Sequence, residues 1–193
     1  MVTPRRVTLM VAVGLVFAAC TDALDVPEGQ GHDIAVQDAS APALETYSAS
    51  FWAVQGRQTS FLVHYVEAGD TLHPYMSLII PQKAQIARPD GTLLAKGDSL
   101  SISVELAREK FQVEFAPHGL VFAADEPMRL KFWYEFVALD DGGEGRPRDV
   151  ADLNLLYRPE PDYPWVRLDS EVSLEGHFVV ANVHHFSGYA VAW

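Results

Sequence analysis

The stretch Leu100-Ser-Ile102-Ser-Val104-Glu-Leu106, entered through Gly97-Asp98, alternates apolar and polar residues without a break. Successive side chains of a strand point to opposite faces, so this pattern predicts a strand with Leu, Ile and Val buried and Ser and Glu in water. Phe111, Val113 and Phe115 repeat it, with Gln112 and Glu114 outward. Upstream, Phe61, Val63 and Tyr65 oppose Leu62, His64 and Val66, and a short apolar run from Tyr75 to Ile80 closes at Pro81. The turn Pro89-Asp90-Gly91 leads into Thr92 to Ala95. Met128 to Val137 predicts a longer strand, apolar on both faces near Phe132-Trp133-Tyr134. Beyond a polar loop, Leu153 to Tyr157 and Trp165 to Leu168 predict short strands, and Phe178 to Val183 and Tyr189 to Trp193 close the chain. Asp149 to Tyr157 also admits a helix through Val150, Leu153 and Tyr157, ranked second to the strand. Turn signals about every eight to twelve residues imply an all-β fold, an antiparallel β-sandwich. Trp133, Trp165, Phe186 and Tyr189 offer large areas to join two such sheets.

The chain begins differently. Arg5 and Arg6 precede an apolar run from Val7 to Ala19, and Cys20, the only cysteine, follows at once. A run of roughly a dozen apolar residues is too short to span a bilayer but suits the core of a cleaved signal peptide. Val16-Phe17-Ala18-Ala19-Cys20 resembles the bacterial lipobox, with Phe17 where that pattern favours an aliphatic residue. The resemblance implies removal of residues 1–19 and lipid on Cys20, with ordinary secretion or a retained anchor as alternatives. Thr21 after Cys20 resembles the outer-membrane sorting pattern of enteric lipoproteins, which implies a lipid-anchored place in the bacterial cell envelope. A lipidated Cys20 leaves no thiol for a disulfide or a thiolate metal site.

Of 14 basic and 26 acidic residues, only Arg5 and Arg6 lie in the signal segment, so the mature charge is 12 − 26 = −14. Phosphate binding requires clustered Lys and Arg, and the sequence has no such cluster, which excludes a nucleic-acid partner. Residues 20–46, the cysteine followed by TDALDVPEGQGHDIAVQDASAPALET, lack apolar period and aromatics and read as a disordered, acidic tether. A partly ordered arm packed on the domain is the alternative. The folded domain is then 47–193.

Within it, Phe115-Ala-Pro117-His118-Gly119-Leu120-Val121-Phe122, followed by Pro127-Met-Arg-Leu130, resembles the ZU5 domain pattern. Leu155-Leu-Tyr157, Trp165-Val-Arg-Leu168, and Val179 to Val183 running into His185-Phe186-Ser187-Gly188-Tyr189 extend the likeness, which covers about residues 75–193. Lys83-Ala84 stands where the family shows Gly-Ala. The residues also make sense alone: Gly119 and Gly188 suit a turn or a close backbone approach, and Pro117 and Pro127 suit strand ends.

The resemblance implies one chemistry. His-Phe-Ser marks a self-cleavage site in some ZU5-like and related domains. Ser187 Oγ would attack the Phe186 carbonyl carbon, His185 would take the hydroxyl proton, and water would hydrolyse the resulting ester. Such a shift needs a strained peptide bond. The competing reading makes Phe186 core, Ser187-Gly188 a turn and His185 a solvated neighbour.

A second candidate is calcium in the loop beginning Asp140-Asp141-Gly142-Gly143-Glu144, with Asp149 and Asp152 beyond. Against the EF-hand spacing, Ala151 replaces the closing Glu, and Arg146 and Arg148 compete, so a plain surface loop leads over Asp140, Glu144 and Asp149 as ligands. His184 and His185 are adjacent and face opposite ways in a strand, and scattered His64, His118 and His177 offer only a weak zinc set. Trp52 and Tyr163 read as packing residues before they read as sugar-stacking ones. The sequence therefore predicts a non-enzymatic, lipid-anchored envelope module without cofactor, its partner an envelope protein or glycan. A self-processing domain cut between Phe186 and Ser187 is the alternative, and a hydrolase is third.

Overall fold

A computed structural model of the protein describes residues 32–68, 72–123, 125–139 and 148–193. The chain is all-β, as the alternation predicts, and apart from one short 3-10 turn the described residues form no helix. One six-stranded antiparallel sheet is built, in spatial order, from β1 (Ser48–Val54), β5 (Ser99–Leu106), β6 (Gln112–Ala116), β13 (Gly188–Ala192), β9 (Asn154–Arg158) and β10 (Val166–Arg167). The second sheet has the order β11 (Ser170–Ser173), β12 (Phe178–Val183), β8 (Met128–Trp133), β3 (Leu72–Ile80) and β2 (Thr59–Val66). A small ribbon pairs β4 (Ile86–Ala87) with β7 (Val121–Phe122).

The core lies between the two large sheets and follows the alternation. Ile102 and Val104 from β5, Val113 and Phe115 from β6, and Val63, Tyr65, Leu78, Leu130, Phe132 and Val179 from the facing sheet are all buried. Tyr75 sits among Tyr65, Phe111 and Phe132, with ring centroids 5.2 to 5.6 Å away. The predicted strand from Met128 stops at Trp133, where a turn returns the Val137 N–H to the Tyr134 carbonyl at 3.1 Å. Asp149 to Tyr157 is mostly strand: a 3-10 turn at Val150–Asp152 precedes β9. The stretch from Trp165 to Leu168 shrinks to the two exposed residues of β10.

Two expectations need correction. Trp133 and Trp165 do not join the sheets: strand parity sends Trp133 outward, and Trp165 stands just before β10, outside any strand and only partly buried. Phe132 takes the inner position on β8, and Trp133 packs beside its ladder partner Phe178 on the outer face, with Lys131 Nζ 3.8 Å from the Phe178 ring centre. Trp165 instead carries the Arg158 guanidinium 4.5 Å over its ring.

Residues 32–46, read as the end of a disordered tether, instead belong to the compact unit, which begins at His32 and holds them as an ordered arm. Asp33 to Asp38 runs as an extended segment hydrogen-bonded on both sides. The Ala35 N–H donates to Val191 O and the Ala35 carbonyl accepts from Phe111 N, while Gln37 and Asp38 donate to Glu109 O and Phe136 O. Ala35 is completely buried. Farther on, Ala43 to Glu45 lies along the edge of β2: Glu45 N donates to His64 O and Val66 N to Ala43 O, with Leu44 buried. The physical reason is that the domain supplies backbone partners, so a segment with few apolar side chains is ordered by satisfied main-chain groups. Residues 20–31, including Cys20, lie outside the described residues.

Candidate functional site

The motif His185-Phe186-Ser187-Gly188 enters β13 and lies against the other signature segment, Phe115 to Phe122. Phe122 N donates to His184 O at 2.8 Å, Phe186 N to Leu120 O at 2.9 Å, Gly119 N to Phe186 O at 3.1 Å, and Phe115 N to Ser187 O at 3.1 Å. The two stretches that carry the family resemblance are therefore one structural unit. Gly119 makes the turn within Phe115–Phe122 with φ of 75°, a left-handed conformation that glycine adopts without steric cost. Phe186 is fully buried, stacked on Phe115 at 5.2 Å and packed on Phe122 at 5.0 Å. The Tyr189 hydroxyl donates back to the His185 carbonyl four residues upstream, the kind of link that pins a sandwich corner.

Ser187 is 1 % exposed, and its Oγ has no hydrogen-bond partner among the described residues. It sits beside the phenols of Tyr157 and Tyr189, whose rings are 5.6 Å apart. Burial raises both phenol pKa values. The His185 ring is on the surface, 6.0 Å from the Tyr157 ring. Partial desolvation, assisted by neighbouring His184, lowers its pKa and favours neutral imidazole. The side chains of His185 and Ser187 form no hydrogen bond with each other, and none of residues 185–188 has a left-handed backbone.

Gly188 has a specific task. It pairs with Glu114 on one side and Arg158 on the other, and those side chains bond to each other across it, Arg158 Nε donating to Glu114 Oε1 at 3.2 Å. A Cβ at position 188 would lie 2.7 and 2.8 Å from the two carboxylate oxygens and 2.9 Å from Arg158 Cγ. The close approach read from the sequence is this crossing of side chains over bare backbone.

Of the calcium candidates, Asp140 and Glu144 lie outside the described residues. Asp149 caps the 3-10 turn, its carboxylate accepting from Ala151 N at 2.9 Å. The zinc candidates are dispersed: His64 bonds Glu45, His118 lies in the Gly119 turn, and His177 stacks on Tyr134. Among the described residues no group of three or more His, Cys, Asp or Glu is placed to hold a metal. Trp52 and Tyr163 are 64 % and 56 % exposed, against the packing role expected of them. Trp52 is on β1 and Tyr163 lies between β9 and β10, at opposite edges of one sheet, so they do not form a common platform. A cleft of about 700 Å³ lies beside the N-terminal segment, lined by Asp33, Gln37, Asp38, Leu139 and Arg148 among others. The chain matches no known family model, no curated protein and no solved structure.

Proposed function

We propose that this protein is a lipid-anchored module of the bacterial cell envelope, a ZU5-like sandwich with a binding or structural rather than catalytic role. The observation that carries this reading is the commitment of the His185–Gly188 segment to the fold. Its carbonyls at His185, Phe186 and Ser187 are all engaged, Phe186 is core, and Gly188 lies under an ion pair. A motif used in this way is a strand junction. The start of the compact unit at His32 adds a geometric consequence, because only 32 − 20 = 12 residue-to-residue steps of chain link it to Cys20. Even fully extended, that length holds the sandwich within about 40 Å of a lipid on Cys20. Its partner would be an envelope protein or glycan close to the membrane, in the outer membrane if the Thr21 sorting pattern is obeyed.

Metabolic labelling with a fatty-acid analogue tests the anchor. The wild-type chain should take up label and partition into detergent, and Cys20→Ser should do neither. An unlabelled, membrane-free wild-type protein would overturn the reading.

One observation favours a second reading, a self-processing domain. Ser187 Oγ has no partner, and Gly119 N–H already points at the Phe186 oxygen, where charge would develop. In that reaction the Oγ–C bond forms, the Phe186–Ser187 C–N bond breaks, and the hydroxyl proton passes through His185 to the departing nitrogen. Water then cleaves the ester. Intact mass under denaturing conditions decides it: loss of the peptide Ser187–Trp193 supports cleavage, and a full-length mature chain removes it.

A further inference from the structure

The edge of the six-stranded sheet at β1 carries hydrogen-bonding groups whose arrangement defines an occupant. β1 pairs with β5 in a register that sets Trp52 opposite Ser101. Leu106 N donates to Tyr47 O and Gln55 N to Asp98 O, so the odd-numbered residues Ala49, Phe51 and Ala53 direct their main-chain groups at β5. Ser48, Ser50, Trp52 and Val54 direct theirs away from the sheet, where no strand is paired among the described residues.

That open edge is closed at both ends. The Thr46 hydroxyl donates to Ser48 O at 2.6 Å and accepts from Ser48 N at 3.3 Å. At the other end, Val54 O accepts from Arg57 N at 3.0 Å. Among the described residues, both main-chain groups on the open side of β1 remain free only at Ser50 and Trp52, which flank Phe51 symmetrically. Natural edges are usually protected by charge, proline or a bulge, and the strand Ser48–Val54, SASFWAV, has no charge and no proline. Trp52 is 64 % exposed on its outer face.

We propose that β1 pairs with β1 of a second copy of this chain, antiparallel about a two-fold axis through Phe51. In this register Ser50 N donates to Trp52 O of the second copy and Trp52 N to its Ser50 O, and the symmetric pair gives four bonds. Every free group of the window is used, a self-complementarity that a two-fold interface requires. Phe51 then faces its own counterpart in the closely spaced, non-hydrogen-bonded position. Its ring already stacks on Phe61 of β2 at 5.0 Å, and both rings are only partly buried in the single chain. Pairing would close four phenylalanines over the joint and lay Trp52 beside Ser50 of the other copy. Charge selects the same occupant. The chain carries a net charge of −12, and a strand without ionisable side chains is a place where two such chains meet without opposing carboxylates in the new ladder.

One strand pair buries less surface than a permanent dimer needs, so the association is weak and concentration-dependent. The test is sedimentation of the full chain carrying Cys20→Ser, which removes the only thiol, from about 10 µM to about 1 mM, a range suited to weak interfaces. Amide exchange at Ser50 and Trp52 is followed over the same range. The wild-type sequence should move from monomer toward dimer while those two amides gain protection. Ser50→Pro removes one N–H on the open side without touching the β5 ladder, and Trp52→Lys places charge at the joint. Each should shift the dimer midpoint at least tenfold higher while leaving the thermal midpoint of the monomer in place. A chain that is monomeric throughout overturns the proposal, as does dimerisation equal in both variants or protection gained elsewhere. Protection appearing only when an unrelated extended peptide is added would assign the edge to a foreign strand, and would also overturn self-pairing.

Discussion

Substituting Gly188 by alanine tests whether the His-Phe-Ser-Gly segment is held by packing. The backbone tolerates the change, since Gly188 is not left-handed. Restricting the unfolded chain would therefore stabilise the protein by about 0.4–1 kcal/mol if the site were open. It is not open. The new methyl would meet Glu114 Oε1 at 2.7 Å, Oε2 at 2.8 Å and Arg158 Cγ at 2.9 Å. The two side chains cannot keep their bond across position 188 and also clear it. Their pair is mostly buried, with 24 % and 18 % of the side chains exposed, and losing a charged hydrogen bond there costs about 1.5–3 kcal/mol. The net expectation is a loss of about 1–2 kcal/mol, which at about 2–4 °C per kcal/mol lowers the melting midpoint by roughly 2–8 °C. The diagnostic arm is the same substitution made in Glu114→Ala. With the carboxylate gone Arg158 is free to swing aside, and Gly188→Ala should become neutral or slightly stabilising. The coupling between the two sites, read from urea denaturation of the four proteins, should then be at least about 1 kcal/mol. If Gly188→Ala costs nothing, or costs the same in both backgrounds, the close approach is not what places glycine here.

Phe186→Ala should cost about 3–5 kcal/mol because it empties a fully buried ring site between Phe115 and Phe122, whereas Ser187→Ala, deleting an unpartnered hydroxyl, should stay within about 1 kcal/mol; chemical denaturation separates the two. Ala35→Asp should cost about 3 kcal/mol or more and expose the N-terminal segment to limited proteolysis, since a carboxylate would replace a fully buried methyl; a wild-type digestion pattern would return residues 32–46 to a tether. His185 has a lower pKa folded than unfolded, so the folded state binds fewer protons: stability from this group is complete above the unfolded value of about 6.5 and is lost as pH falls below it and through the lower folded value. His185→Gln should flatten the dependence of the urea midpoint between about pH 7.5 and pH 5.5, and an unchanged slope would assign that dependence to other groups.

Period-two alternation made β2, β5 and β6 legible because one face of each is buried and the other is wet, and this condition writes itself into sequence. The ribbon of β4 and β7 left no such trace, since two residues make no period. The segment from Asp33 to Asp38 was hidden for a different reason. Its order comes from main-chain bonds to residues near 110, 137 and 192, and backbone groups are the same in every sequence. Trp133 and Trp165 misled through size: a large apolar ring suggests core, but strand parity turns Trp133 outward, with Phe132 in the inner place, and Trp165 precedes β10 in no strand at all.

The candidate site shows the same division at higher stakes. Glycine at 188 was readable as a close approach, because only a missing Cβ explains it locally. What approaches was not readable, since Glu114 and Arg158 lie 74 and 30 positions away (188 − 114 and 188 − 158) and meet only through β6 and β9. Likewise the Pro117–Gly119 turn and the His185–Ser187 motif look like separate signatures in the chain. The bonds from Gly119 N and Phe115 N to the carbonyls of Phe186 and Ser187 join them into one unit. A motif whose residues each satisfy a partner in the other motif does not need chemistry to account for its residues. The Ser187 hydroxyl is a buried polar group of the motif that packing leaves unsatisfied, and it is therefore the atom on which a catalytic reading must rest.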